Sequence, residues 1–198
     1  FVTVIADYCD HNAFGRVRQK LMEKLLDANV PLNHMQFNEV WVPFFDTRAT
    51  GFDLADMARN SNIVRPGVRH IFYVNTAPRK DDTKARDNNA GEKLVYVKLK
   101  NGVEILAVNS GDSLAFLGDA IDHASHLDIS DRGCQFRSLN VFPEALYRLA
   151  KGDDALFTAD ALADIPSMPQ AMSINRIEGY GNIKTNIRLD GFNEEWFG

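Results

Sequence analysis

Cysteine is scarce in this chain, with only Cys9 and Cys134 among 198 residues. Two thiols make a disulfide framework an unsuitable source of stability and leave the redox compartment open. Positive charge is also in short supply: 22 Lys and Arg stand against 27 Asp and Glu, a formal net charge of −5. That balance carries no electrostatic footprint for nucleic acid or an anionic membrane surface. Long apolar runs are missing too, and none approaches the roughly 18 residues that a membrane helix needs. There is no internal repeat and no low-complexity tract. What remains is ordinary globular composition, 45% hydrophobic and 25% charged, long enough for one substantial domain with a small appendage. The first residue is Phe1 rather than methionine. A mature product after removal of a targeting segment and a fragment of a longer protein are both compatible with that start, so the compartment stays open.

The opening stretch organises the rest. Val2, Val4 and Ile5 form a β-branched run that reads as a buried strand ending at Asp7. The polar loop Asp10-His11-Asn12 leads into a helix over 13–26, with Phe14, Val17, Leu21 and Leu25 at helical spacing on one face. Strand, loop and helix make the first half of a βαβ unit, and ligands of open α/β sheets sit outside the carboxyl ends of the strands. Asp7 stands there, either to meet a ligand or to cap the loop or helix.

Further along, 35–45 holds a short strand before Pro43, 47–60 reads as a helix, and Pro66-Gly67 as a turn. His70-Ile71-Phe72-Tyr73-Val74 is a strand with Asn75 at its carboxyl end. Residues 80–93 are polar and charged without apolar periodicity, the pattern of a surface loop. The runs 93–99 and 103–108 flank Asn101-Gly102, a hairpin signal that predicts positive φ at both central residues. Residues 114–124 read as wholly or partly helical, which sets His123 and His126 one turn apart near Asp119, Asp122 and Asp128. A metal site is one reading of that group, but no third ligand stands at motif spacing, and none is assigned. Asn140 is the expected cap of a helix to about Ala150, with Pro143 in its first turn. A short helix over 154–164 and a strand pair over 171–177 and 183–189 complete the pattern.

These pieces resemble, in order, the S-adenosylmethionine hydroxide adenosyltransferases and the related fluorinases and chlorinases. The family's Thr-Asp-Phe-Gly is matched by Ala6-Asp7-Tyr8-Cys9, and Ala13-Phe14-Gly15 follows in the helix. Its Asp-Pro-Gly-Val-Gly is matched by Asn75-Thr76-Ala77-Pro78 after Tyr73-Val74, and its Ala-Pro-Asp-Asn-Gly by Ala107-Val108-Asn109-Ser110-Gly111. The Phe-His-Gly-Arg-Asp-x-Phe-x-Pro segment corresponds to Phe136-Arg137-Ser138-Leu139-Asn140-Val141-Phe142-Pro143. Asp-x-Phe-Gly-Asn followed by Thr-Asn-Ile corresponds to Glu178-Gly179-Tyr180-Gly181-Asn182 and Thr185-Asn186-Ile187.

The resemblance implies an α/β fold: a mostly parallel central sheet flanked by helices over 1–168, and the start of a small β-rich carboxyl-terminal segment over 169–198. On this alignment most of the family's second, β-rich domain is absent and 80–92 is an insertion. It also implies a homo-oligomer, a trimer with ligand sites between subunits, or a subunit of a larger assembly. The family displaces methionine from the 5′ carbon of S-adenosylmethionine, and its hydroxide-using members position a water with Asp, Arg and His. Here Asn75 takes the Asp position, and an amide accepts no proton at neutral pH. Arg137 takes the His position, and a guanidinium is no base. The arginine falls on Arg79 or Arg86.

By the same resemblance Asp7 would hold ribose hydroxyls, Glu178 and Asn182 the amino-acid part, and Tyr180 an aromatic wall, while Asn109 and Ser110 replace an Asp-Asn pair. Asp7, Tyr180 and Asn182 also suit plain turn capping. No cofactor is assigned. S-adenosylmethionine or adenosine is the implied ligand if one is bound. The expectation is a family fold without hydrolytic activity serving as a structural or assembly subunit; the alternative is an enzyme or sensor that still binds an adenosyl ligand.

Overall fold

The computed structural model describes residues 1–8, 10–76, 92–130, 134, 136–177 and 179–187. Strands β1 (Val2–Ala6), β2 (Phe37–Trp41), β3 (Ile71–Asn75) and β5 (Glu104–Val108) pair in parallel, with β1 between β2 and β3. β4 (Leu94–Leu99) is antiparallel to β5, β6 (Ile121–Leu127) is antiparallel to β4, and β7 (Phe157–Asp160) is antiparallel to β6. The resulting seven-stranded sheet has the order β2-β1-β3-β5-β4-β6-β7, and 5 of its strands run the same way. The expected mostly parallel α/β sheet is present.

Alternation along the strands feeds two cores. Val2, Val4, Ala6, Tyr73 and Leu106 face helices α1 (His11–Asp27) and α4 (Phe142–Lys151). Ile5, Phe72, Val74 and Ile105 face helix α2 (Thr47–Arg59) and the turn at 114–117. With both faces covered, β1 is buried along its whole length, which is why it reads as a continuous apolar run. Phe14, Val17, Leu21 and Leu25 are the buried face of α1, as their spacing predicts. Burial of each contributes about 1.5–3 kcal/mol. Asp10 caps this helix, its carboxylate accepting from the Ala13 amide at 2.7 Å.

Four local expectations are corrected. At the hairpin only Gly102 has positive φ; Asn101 instead donates its side-chain amide to the Ala58 carbonyl at 2.9 Å, tying the turn to the end of α2. Residues 114–124 are not a helix: turns lead through one 3-10 turn (Gly118–Ala120) into β6. Pairing of Ala124 with Val97 and His123 with Lys98 outweighs local propensity there. Asn140 lies inside a short helix α3 (Arg137–Asn140), and Val141 precedes α4, with Pro143 in its first turn. Residues 154–164 form β7 between two 3-10 turns, because β6 offers an open edge to pair with. A separate two-stranded sheet, β8 (Ile174–Ile177) with β9 (Ile183–Thr185), lies against α2 through the Arg176–Asp53 ion pair. The expected insertion at 80–92 falls, except for Glu92, outside the described residues.

Candidate functional site

The parallel strands end together. Ala6 is in register with Asn75, and Val74 with Ala107, so Asp7, Asn75-Thr76 and Asn109-Ser110 line one carboxyl edge. The sequence-predicted residues on these strands are thus brought to the edge where α/β sheets meet ligands. At this edge each of them is bonded to the protein itself.

Half-buried Asp7 accepts a hydrogen bond from the Phe45 amide at 2.9 Å. Burial raises its carboxyl pKa above the usual carboxylate range, and the Phe45 N–H partly offsets the rise. Phe45 has φ +58°, a left-handed conformation that costs free energy for an aromatic residue, while its ring is exposed. The Asp7 carboxylate therefore restrains a strained loop between β2 and α2. Asn75 donates its amide to the Tyr8 hydroxyl at 2.9 Å. Burial pushes the Tyr8 phenol up to about 12, so it stays protonated at neutral pH. Tyr73, whose phenol burial pushes well above its ordinary value, donates to the Ser138 carbonyl at 2.9 Å. Arg137 donates to the Glu92 carbonyl at 3.0 Å and lies 5.0 Å over the Phe142 ring. These bonds lock β1, β3 and α3 together, and neither the Asn75 amide nor the Arg137 guanidinium can take a proton from water near neutrality.

Further along the edge, Asn109 donates to the Asp164 carbonyl at 2.9 Å, and the Ser110 hydroxyl donates to the Thr76 carbonyl. Ser110 and Thr76 belong to a buried hydroxyl run: Thr50 Oγ1 and Thr76 Oγ1 are 2.9 Å apart, and Ser110 Oγ and Ser113 Oγ 3.3 Å. This run fastens α2 to the ends of β3 and β5. Tyr180 is exposed at the β8–β9 turn, and among the described residues no hydrogen bond or ring contact joins it to the Asp7–Asn75 cluster. Asn182 lies in the same turn. Arg79, Arg86 and Glu178 fall outside the described residues. His123 and His126 stand three apart on a strand and so point to opposite faces, which corrects their expected adjacency on a helix.

Sequence reasoning did not assign a role to Tyr8, Phe45 or Trp41. The signal for Tyr8 is its hydroxyl, which stands where the resembled family has phenylalanine. Nothing local marks Phe45, whose backbone strain depends on a partner 38 residues away. Trp41 stacks on Phe14 at 5.2 Å and forms one wall of a cleft of about 560 Å³, shared with Pro43, Asp46, Ala49, Ile174 and Ile177.

No protein-family model and no curated protein matches the chain. Solved structures share its architecture, among them two conserved proteins of bacteria. An uncharacterized conserved protein from Thermotoga maritima aligns with TM-score 0.69 at 12% identity, covering 96% of this chain and 73% of the other. A conserved hypothetical protein from Thermus thermophilus aligns with TM-score 0.59 at 16% identity, covering 93% and 73% respectively. At these identities the likeness establishes the fold alone.

Proposed function

We propose that the chain is a diverged relative of the S-adenosylmethionine hydroxide adenosyltransferases that has lost hydrolytic chemistry and serves as a structural or assembly subunit. One observation carries this reading: at two of the family's three reacting positions, those within the described residues, the side chains hydrogen-bond the protein itself. Asn75 is bonded to Tyr8 and Arg137 to Glu92, and neither can relay a proton. Exposed apolar side chains on the β8–β9 hairpin, Ile174, Ile177 and Ile183, support a role in assembly. The second reading, an adenosyl-ligand-binding enzyme or sensor, is favoured by the position of Asp7 at the loop that leads into the cleft beside Trp41.

Incubation with S-adenosylmethionine tests the first reading. No adenosine above background is expected by chromatography, and accumulation in proportion to protein would refute it. Calorimetry with adenosine separates the two readings through Asp7. Hydrogen bonds to a carboxylate are worth about 1.5–3 kcal/mol each, so a bound ribose would make Asp7→Ala weaken affinity by about tenfold or more. Absence of binding at millimolar adenosine is the expected result.

A further inference from the structure

The loop between β4 and β5 carries the chain's one Asn-Gly pair, Asn101-Gly102. That dipeptide is chemically labile wherever the backbone is free to move. Gly102 has no side chain to keep its backbone nitrogen away from the Asn101 side-chain amide carbon. Attack of that nitrogen closes a cyclic imide and expels ammonia, and water then opens the ring to aspartate or isoaspartate. In this fold every reacting group is held. The nucleophile's own N–H, that of Gly102, donates to the Leu99 carbonyl at 2.8 Å and closes the turn. The leaving group, Asn101 Nδ2, donates to the Ala58 carbonyl at 2.9 Å, with the Arg59 and Ser61 carbonyls also in reach at 3.3 and 3.4 Å. Asn101 Oδ1 accepts from the Val103 amide at 3.2 Å. The side chain is thus fixed at both ends, and its amide carbon reaches the Gly102 nitrogen only when these bonds open. Ala58 and Arg59 lie in the last turn of α2, where a helix leaves carbonyls without helical partners. The Asn101 amide is therefore a cap for α2, supplied from 43 residues along the chain.

We propose that Asn101 is a modification site kept silent by the fold: deamidation proceeds from the opened hairpin, and its product cannot restore the cap on α2. An aspartate at this position has no N–H to give. It sets a negative charge against three carbonyl oxygens at the negative end of the helix dipole. An isoaspartate lengthens the backbone between Leu99 and Val103, whose N–H to C=O bond of 2.9 Å depends on the present turn length. Either product makes the next opening easier, so the reaction records an unfolding event irreversibly. The site uses no residue of the Asp7–Asn75 cluster and stands independently of the adenosyl chemistry considered above.

Peptide mass spectrometry of the wild-type chain after incubation in mildly alkaline buffer tests this, with the chain in urea above its unfolding transition as reference. Deamidation at Asn101 is expected to be about tenfold or more slower in the folded protein. The deamidated fraction, separated by ion exchange, should then unfold at lower urea than the unmodified fraction. Two variants read the product directly: Asn101→Ala removes the cap, and Asn101→Asp removes it and adds the charge. Asn101→Asp is expected to be the less stable of the two, and a chain that folds only as Asn101→Ala is that result at its limit. Equal rates in the folded and unfolded chains would overturn the proposal. So would a deamidated fraction, or an Asn101→Asp variant, as stable as the unmodified wild type.

Discussion

His70 shows how one buried side chain sets a pH limit on the whole protein. Its ring nitrogens lie 3.0 Å from Thr3 Oγ1 and 2.8 Å from Ser61 Oγ, and Phe1 and Phe72 flank the ring. Burial, and then the positive Phe1 amine beside it, lower its pKa to about 4. The unfolded chain binds this proton below about 6.5, whereas the folded chain does so only near the lowered value. The unfolded state therefore takes up more protons as pH falls from about 6.5 toward 4, and stability is lost across that window, by up to about 3 kcal/mol. Thermal melts at pH 7.5 and pH 5 should show this loss, and His70→Gln should flatten it. An unchanged pH dependence in the variant would reject His70 as the cause.

At the scale of elements, α2 illustrates how packing reverses propensity. Gly51 lies in the helix interior, where replacement by alanine ordinarily stabilises by about 1 kcal/mol. Here an added Cβ would overlap the Asp112 carbonyl oxygen and press on the Phe116 ring. Both lie on the 110–117 segment that packs the same face of the sheet, and backbone cannot step aside as a flexible side chain can. Gly51→Ala is expected to destabilise by about 1–3 kcal/mol, and chemical denaturation would measure it. A stabilised variant would mean that α2 sits farther from this segment than described. Asn101 acts at the other end of the same helix, so an element predicted from its own residues is positioned by two distant turns.

For the whole molecule, an ionic network centred on buried Glu104 and exposed Arg69 ties the sheet to α4. Glu104 receives both Arg69 Nε at 2.6 Å and Nη2 at 2.7 Å, Tyr96 donates to it at 3.1 Å, and Arg69 reaches the Leu149 carbonyl at 3.1 Å. The β8–β9 hairpin, by contrast, turns apolar side chains outward: Ile177 and Ile183 pair across the strands and are 64% and 57% exposed. An assembly subunit would cover them. Light scattering should then give a mass above that of one chain, and Ile177→Lys with Ile183→Lys should reduce it to one. A wild-type mass of a single chain at all concentrations would count against assembly through this face.

The sequence by itself determined the layered α/β architecture. Val2, Val4 and Ile5, the 14–25 stripe of α1 and the 70–74 run carry their periodicity locally, and each has one way to bury its apolar face. It also placed Asp7, Asn75 and Asn109 at strand ends, since strand boundaries follow from the same runs. Only the tertiary structure decided what those side chains do. The partner of Asp7 is 38 residues away, that of Asn75 is 67 away, and that of Asn109 is 55 away, distances over which no local pattern reports. β6 and β7 were hidden for the same reason: a strand edge is satisfied by whichever segment reaches it, and 121–127 reaches β4. His126 and Asp164 meet in the same way, because the sheet order brings their segments together.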